Sequence, residues 1–435
     1  MQFGEQVRGM SKVPQSWLML ALLASVACGS NADAGKLDAP PAADTLYRST
    51  PAEFGPVRAG IDVLLEDSLY LVAGKRVGLI TNQTGVDAEG RSTIDRLFEH
   101  PDVELVTLFA PEHGIRGNAD PGETIDDGVD SSTGVPIQSL YGAVRSPTPE
   151  MLEGVDILVT DYQDIGARYW TYVSTMTLAM EAAGELRIPF LVLDRPNPIG
   201  GATQGNVLDP PFATFVGRHP VPMRHGMTPG ELARYVRGEL GVDVELYVAP
   251  ADGWRRDMSF AETGLPWIQP SPNMPSVESA THYPGVCLFE GTNLSVGRGT
   301  SIAFQHVGAP WLDGEALART MNGYGLAGVR FEATSFTPRS PGDGKFDGVE
   351  VSGVRLIATS TDYDPTEAAI ALLIEAYRMS GEEWRWLRSH FDRLAGTDQI
   401  REAITAGSGV EGVREGWDEA LADFVRAREP YLIYP

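Results

Sequence analysis

From about Gly60 onward, short apolar runs alternate with segments whose apolar positions recur every three or four residues. The first kind of run suits a strand buried on both faces, the second a helix with one apolar stripe. Arg76–Thr81, Val103–Phe109, Val155–Thr160, Ile188–Leu193 and Val244–Val248 are the strand candidates. Between them, Ser92–His100 predicts a short helix, with Ser92 as N-cap and Asp95 three residues on. Tyr169–Leu186 predicts a long helix, and Thr228, followed by Pro229, caps another that runs to Leu240. Such alternation implies an α/β fold: a Rossmann-like, mostly parallel sheet with helices on both faces.

Beyond about Thr281 the pattern changes. A glycine-rich stretch leads to a helix near Leu312–Met321, strands at Val329–Ser335 and Val349–Thr359, and helices at Pro365–Ser380 and Val413–Glu429. Strands first and helices later suggest a smaller α+β domain. The expected organisation is a signal segment over 1–28, a flexible tether over 29–56, a Rossmann-like catalytic domain over 57–280 and a C-terminal α+β domain over 281–435.

The N-terminal segment has the layout of an export signal. Arg8 and Lys12 precede an apolar run from Trp17 to Ala27, too short to span a bilayer, which ends on Cys28. Ala27-Cys28-Gly29-Ser30 resembles a bacterial lipoprotein cleavage site, although Ser25 stands where leucine is usual; Met10 is an alternative start. The expectation is a lipid-anchored protein, periplasmic or extracytoplasmic, touching membrane only through Cys28; a plain secretory signal is the alternative. The Ala/Gly/Pro/Asp-rich stretch that follows reads as a tether. The other cysteine, Cys287, lies in the apolar run Val286–Phe289 and reads as a buried small hydrophobe, so no disulfide framework exists.

Charge narrows the partners. With 59 acidic against 34 basic residues the formal charge is −25, which disfavours nucleic acid and anionic membranes. An anionic ligand therefore needs a local group of arginines.

Ligands of open α/β sheets bind beyond the carboxyl ends of the strands, and each end here is polar. The successive ends carry Asn82-Gln83-Thr84-Gly85, Ala110-Pro111-Glu112-His113-Gly114-Ile115-Arg116-Gly117, Asp161-Tyr162-Gln163-Asp164-Ile165-Gly166-Ala167-Arg168-Tyr169 and Asp194-Arg195-Pro196-Asn197-Pro198. Glu112 is the sharpest candidate, a carboxyl in a tight loop where burial would suit it to donate a proton. A loop residue accepting backbone hydrogen bonds is the alternative. Asp161 or Asp164 can supply the second carboxylate of a hydrolase pair, or Asp161 can cap the following helix. Arg116, Arg168 and Arg195 can bind a carboxylate through paired hydrogen bonds, or neutralise neighbouring aspartates. Tyr169, Trp170 and Tyr172 can stack on a sugar, although helical spacing sends at least one into the core. Glu290–Thr300 is a second notable stretch, with Glu290, Asn293 and Arg298 among glycines that allow close approach of a ligand. It is not a dinucleotide fingerprint, and no Walker loop, Gly-x-Ser-x-Gly elbow or metal-binding histidine spacing occurs, so no cofactor or metal is expected.

In order along the chain, Ala110–Gly117, Asp161–Thr175, Asp194–Gly201, Arg224-His225-Gly226-Met227-Thr228, Pro270-Ser271-Pro272-Asn273-Met274-Pro275, Glu290–Thr300, Phe391–Thr397 and Tyr431–Tyr434 resemble the NamZ family of exo-β-N-acetylmuramidases. The resemblance covers nearly everything from Gly60 to the end. It implies an active-site cleft between the two domains and hydrolysis of a terminal, non-reducing β-1,4-linked N-acetylmuramic acid without nucleotide or metal. The family's glutamate in the Glu-His-Gly motif falls on Glu112. Its partner is an aspartate or Glu290, with Asn82, His113, Gln163, Tyr169, Tyr172, Asp194, Asn197, His225, Asn273 and Asn293 as substrate contacts. Arg116, Arg168, Arg195 and Arg298 compete for the lactyl carboxylate that distinguishes muramic acid from glucosamine. The Phe336–Phe346 loop departs from the family pattern. The expected partners are peptidoglycan-derived disaccharides or glycan ends; the rival reading is a lipid-anchored muropeptide-binding protein without activity.

Overall fold

The computed structural model describes residues 44–45, 56–116 and 123–435. The signal segment with Cys28, most of the tether and Gly117 lie outside the described residues. Asp44–Thr45 (β1) pairs in parallel with Leu246–Ala249 (β10).

Alternation of side chains along the strands creates two apolar faces. Leu79 in β2 (Arg76–Thr81), Ile157 and Val159 in β6 (Ile157–Asp161), and Leu191 and Leu193 in β7 (Phe190–Leu193) enter one core, with α1 (Gly60–Asp67) and α2 (Thr93–Phe98). Their neighbours Ile80, Leu158, Phe190 and Val192 enter the other, with α3 (Thr171–Leu186) and α4 (Pro229–Gly238). Burial on both sides is why these strands read as unbroken apolar runs. With β3 (Glu104–Ala110), β4 (Gly128–Val129) and β5 (Pro136–Ser139), the eight-stranded sheet has the order β1-β10-β7-β6-β2-β3-β5-β4, parallel except for β4 against β5. From β5 to β10 this is the doubly wound Rossmann order. A small antiparallel pair, β8 (Gln204–Val207) and β9 (Pro222–Arg224), lies outside the sheet.

The smaller part carries an antiparallel sheet of β11 (His306–Ala309), β13 (Val351–Ala358) and β12 (Val329–Phe336), in that order. Around it are α5 (Val277–Val286), α6 (Gly314–Gly323) and α7 (Pro365–Ser380), then α8 (Arg388–Ala395), α9 (Gln399–Thr405), α10 (Val410–Val413) and α11 (Trp417–Arg428). Gly285 lets α5 meet α7: a Cβ there would stand 1.9 Å from the Pro365 carbonyl oxygen. The core on the α3 side of the large sheet continues without a break into this part, through Tyr283, Phe304, Leu356 and Leu372. Among the described residues no helix is long and apolar enough to cross a membrane.

Candidate active site

The chain leaves β3 through a tight turn, with the Gly114 N–H donating to the Pro111 carbonyl at 3.0 Å. His113 takes the left-handed conformation at φ 72°, which a non-glycine residue adopts only where its surroundings impose it. The turn presents Glu112 to Tyr141, just past β5, and to Thr171, the first residue of α3. The Tyr141 hydroxyl donates to one carboxylate oxygen at 2.9 Å and the Thr171 hydroxyl to the other at 2.5 Å.

Facing this carboxyl is a wall from the smaller part. After α5 the chain tightens into a 3-10 turn over Cys287–Gly291 that carries Glu290. The Arg298 Nε donates to Glu290 Oε1, and the Lys345 ammonium donates to the carbonyls of Phe289, Glu290 and Leu294 at 3.4, 3.2 and 3.0 Å. Burial works to raise the Glu290 carboxyl; the charge and hydrogen bond of Arg298, with Lys345 behind them, outweigh it and hold Glu290 below the usual carboxylate range. Its neighbour Cys287 is buried, and burial keeps that thiol protonated.

Glu112 and Glu290 line one cavity of about 250 Å³. His113, Tyr169, Tyr172, Asn273 and Arg298 from the expected set line it too, with His390, Arg393 and Leu394 from α8. Its aromatic wall is rigid: Trp170 stands edge-on to Tyr172 and Tyr283 at 5.5 and 5.7 Å between ring centres. The Tyr169 hydroxyl donates to the Pro284 carbonyl, and that of Tyr172 to the Pro270 carbonyl at 2.8 Å.

The remaining candidates do not line this cavity; most are buried and hold protein partners, with Asn82 Nδ2, Asp164 Oδ2, Arg168 Nε and His225 Nε2 left without one among the described residues. Asp161 is fully buried and accepts from Arg195 at 2.5 and 2.9 Å and from Thr93 at 2.5 Å, so neither Asp161 nor Arg195 is left for a ligand. Asp164 caps the Gly166 N–H at 2.6 Å and faces His225 at 3.7 Å; burial pushes its carboxyl up to about 7 and the His225 imidazole down to about 3. Asp194 accepts from Thr228, Gly230 and Tyr434, and burial raises it to about 7. Asn82 receives the Thr84 N–H, Gln163 donates to the carbonyls of Asp164 and Pro196, and Asn197 donates to that of Met227. Arg168 spends its guanidinium on the carbonyls of Asn206, Val221, Leu394 and Ala395. It thereby fixes the end of α8, and so acts on the cavity wall from behind. Arg116, 44% exposed, pairs with Asp130, and Asn293 braces Glu383 and Arg385.

Tyr141, Thr171, Lys345, His390 and Arg393 escaped the sequence reading. Arg393 lay inside the Phe391–Thr397 stretch, and its spacing of three from His390 on a helix was the available signal. Among the described residues, Asp62, Asp87 and Glu89 are the one acidic group with ligand atoms within 4.8 Å of one another. Arg96 already pairs with Asp62 and Asp87, and none of the three lines the cavity.

Comparison with known proteins fits this architecture. Residues 77–278 match the family described as exo-beta-N-acetylmuramidase NamZ, N-terminal, and residues 281–434 its C-terminal counterpart. The chain belongs to the NamZ family. It is 45% identical to the peptidoglycan beta-N-acetylmuramidase NamZ of Bacillus subtilis (strain 168) over 381 residues, covering 87% of this chain and 91% of that protein. Two crystal structures of DUF1343 family proteins from Bacteroides fragilis NCTC 9343 are also similar. One has a TM-score of 0.82 at 38% identity, covering 88% of this chain and 100% of the other; the second has 0.71 at 33%, covering 87% and 99%. In this NamZ-family chain the cavity draws its walls from both matched segments: Glu112 comes from the first, Glu290 and Arg393 from the second.

Proposed function

We propose that this enzyme hydrolyses the β-1,4 bond of a terminal, non-reducing N-acetylmuramic acid at the ends of peptidoglycan fragments; its Bacillus relative is named a peptidoglycan beta-N-acetylmuramidase, and its family is described as exo-beta-N-acetylmuramidase. The observation that carries the reading is the pair of carboxyl groups in one cavity with unlike surroundings. Glu290 is kept anionic by Arg298, the state needed to stabilise the positive charge that develops on the sugar ring or to activate the attacking group. Glu112 is aimed by two hydroxyls and is assigned as the acid that protonates the leaving oxygen. A hydroxyl can turn from donor to acceptor, so Tyr141 or Thr171 can follow the proton on and off Glu112. At about 250 Å³ the cavity lies just below the usual size of ligand pockets (~300–1,000 Å³), which suits one terminal sugar better than a threaded glycan. This chemistry needs no nucleotide or metal.

Incubation with N-acetylmuramyl-β-1,4-N-acetylglucosamine should yield the two monosaccharides by mass spectrometry, and proton NMR of the first product gives its anomeric course. Binding of the disaccharide without cleavage would sink the hydrolase reading and leave a binding protein. Export and anchoring belong to the same proposal, supported by Arg8, Lys12, the Trp17–Ala27 run and Cys28. Cys28→Ser should then move the protein from the membrane to the soluble fraction; a wild type already soluble after export argues for simple secretion.

A further inference from the structure

Two arginines line the cavity, Arg298 and Arg393. The first is committed to Glu290. Among the described residues the second makes no ion pair, and its one hydrogen bond runs from Nη2 to His390 Nδ1 at 2.5 Å. A guanidinium cannot accept, so the Nδ1 of His390 does, which leaves the ring hydrogen on Nε2. Burial and the adjacent cation hold that imidazole below its usual range and hence neutral. Of the two cavity arginines, Arg298 has its Nε bonded to Glu290, while the Nε of Arg393 is buried with no acceptor among the described residues, a donor left open to a ligand. Asp392, beside it in sequence, is taken by Arg401 at 2.8 and 2.9 Å. His390 and Arg393 are also the residues shared between this cavity and a second, more open one of about 570 Å³, bordered by Phe212 and Ser389. The guanidinium thus stands where a substituent of a sugar in the first cavity would leave it.

Charge leads to the same place. Glu290 is matched by Arg298, whereas Arg393 has no carboxylate paired with it among the described residues. A neutral sugar leaves it unmatched; a sugar bearing one carboxylate supplies the partner.

We propose that Arg393, held by His390, is the receptor for the carboxylate of the lactyl ether on the terminal sugar, and so the residue that separates muramic acid from glucosamine. The inference rests on the muramidase reading for the identity of the sugar, but binding tests it without turnover. Calorimetry with free N-acetylmuramic acid, its methyl ester and N-acetylglucosamine should give wild-type protein a preference of about 10- to 100-fold for the acid. Arg393→Gln should bind acid and ester alike with an unchanged melting temperature, and Arg393→Lys should restore part of the preference. Wild-type protein that does not distinguish acid from ester overturns the assignment, and needs no folded variant. A glutamine variant that keeps the preference overturns it as well. If the preference behaves as expected but no disaccharide is cleaved, the receptor stands and the hydrolase reading falls. If the disaccharide is cleaved and Arg393→Gln keeps the wild-type ratio of kcat/KM on muramyl and glucosaminyl nitrophenyl glycosides, the reverse holds.

Discussion

Glu112 and Glu290 share a cavity, yet their partners differ in charge, and that difference makes their roles separable. Glu112→Gln keeps size and hydrogen bonding but cannot give up a proton to the leaving oxygen. The turnover number on the natural disaccharide should fall by about two orders of magnitude or more, with sugar affinity little changed. A nitrophenolate leaving group, which needs no proton, should recover part of the loss. Arg298→Gln tests the other carboxyl. Glu290 lies below the usual range because Arg298 outweighs burial; without that cation burial prevails and the group rises. Activity that requires anionic Glu290 then begins at higher pH, so the ascending limb of kcat/KM against pH should move upward. An unmoved limb would show that Glu290 is not the group being titrated. The sequence singled out Glu112 but could not tell Glu290 from Asp161 and Asp164 as its partner. What separates them is whether a partner waits in space: Arg195 sits 34 residues from Asp161 and closes on it at 2.5 Å. Arginines near aspartates in the sequence looked ready for a ligand and had already found one, whereas Arg393, between Asp392 and Leu394, looked ordinary.

The elements themselves were largely legible, because the sheet is buried on both faces and its helices on one. The Thr228-Pro229 start, for example, is a capping box in which Glu231 returns a hydrogen bond to the cap, as the spacing implies. Short pieces without an apolar run were not legible: β4, β5, β8, β9 and β11 span two to four residues each and mix polar residues, glycine or proline into them, unlike the equally short but wholly apolar β7. The expected Val413–Glu429 helix begins only at Trp417, behind Gly416 at φ 81°, while Val413 closes the separate α10. The long helix begins at Thr171 rather than Tyr169, since Trp170 is extended and turned to the cavity wall. The Phe336–Phe346 loop departs from the family pattern, yet its Lys345 reaches three carbonyls around the turn that carries Glu290. Lys345→Met removes that donor and its charge while keeping much of the stem. It should lower stability by about 2 kcal/mol in urea titrations and reduce kcat more than it weakens sugar binding, because Glu290 would be held less firmly. An unchanged kcat would confine Lys345 to a structural role.

The hydropathy pattern suggested a sheet domain and a smaller domain that each close on themselves, yet the last residues of the chain return to the sheet. Arg428 donates to the carbonyls of His225 and Gly226 at 2.8 and 3.0 Å, and the N–H groups of Ile433 and Tyr434 donate to Glu231 at 2.8 and 3.3 Å. The Tyr434 hydroxyl donates to Asp194 at 2.5 Å, at the end of β7, and accepts from the Ala251 N–H at 2.8 Å, just past β10. Its ring meets Trp254 edge-on at 5.0 Å. Such long-range stitching is invisible to a periodicity argument, which sees neighbours in sequence only. It couples the two parts energetically, and the unbroken core between them does the same. The cavity depends on that coupling, because Glu112 stands on one part and Glu290 and Arg393 on the other. Tyr434→Phe keeps the ring but leaves the buried Asp194 oxygen and the Ala251 N–H each short of a partner, a loss of about 2 kcal/mol. Urea unfolding followed by tryptophan fluorescence and by far-ultraviolet circular dichroism should show coincident single transitions in wild type and variant, the variant's midpoint lower and its slope unchanged. If the two probes separate, or if Tyr434→Phe lowers only one of two transitions, the parts fold independently. The cavity between them would then owe its geometry to docking rather than to one cooperative fold.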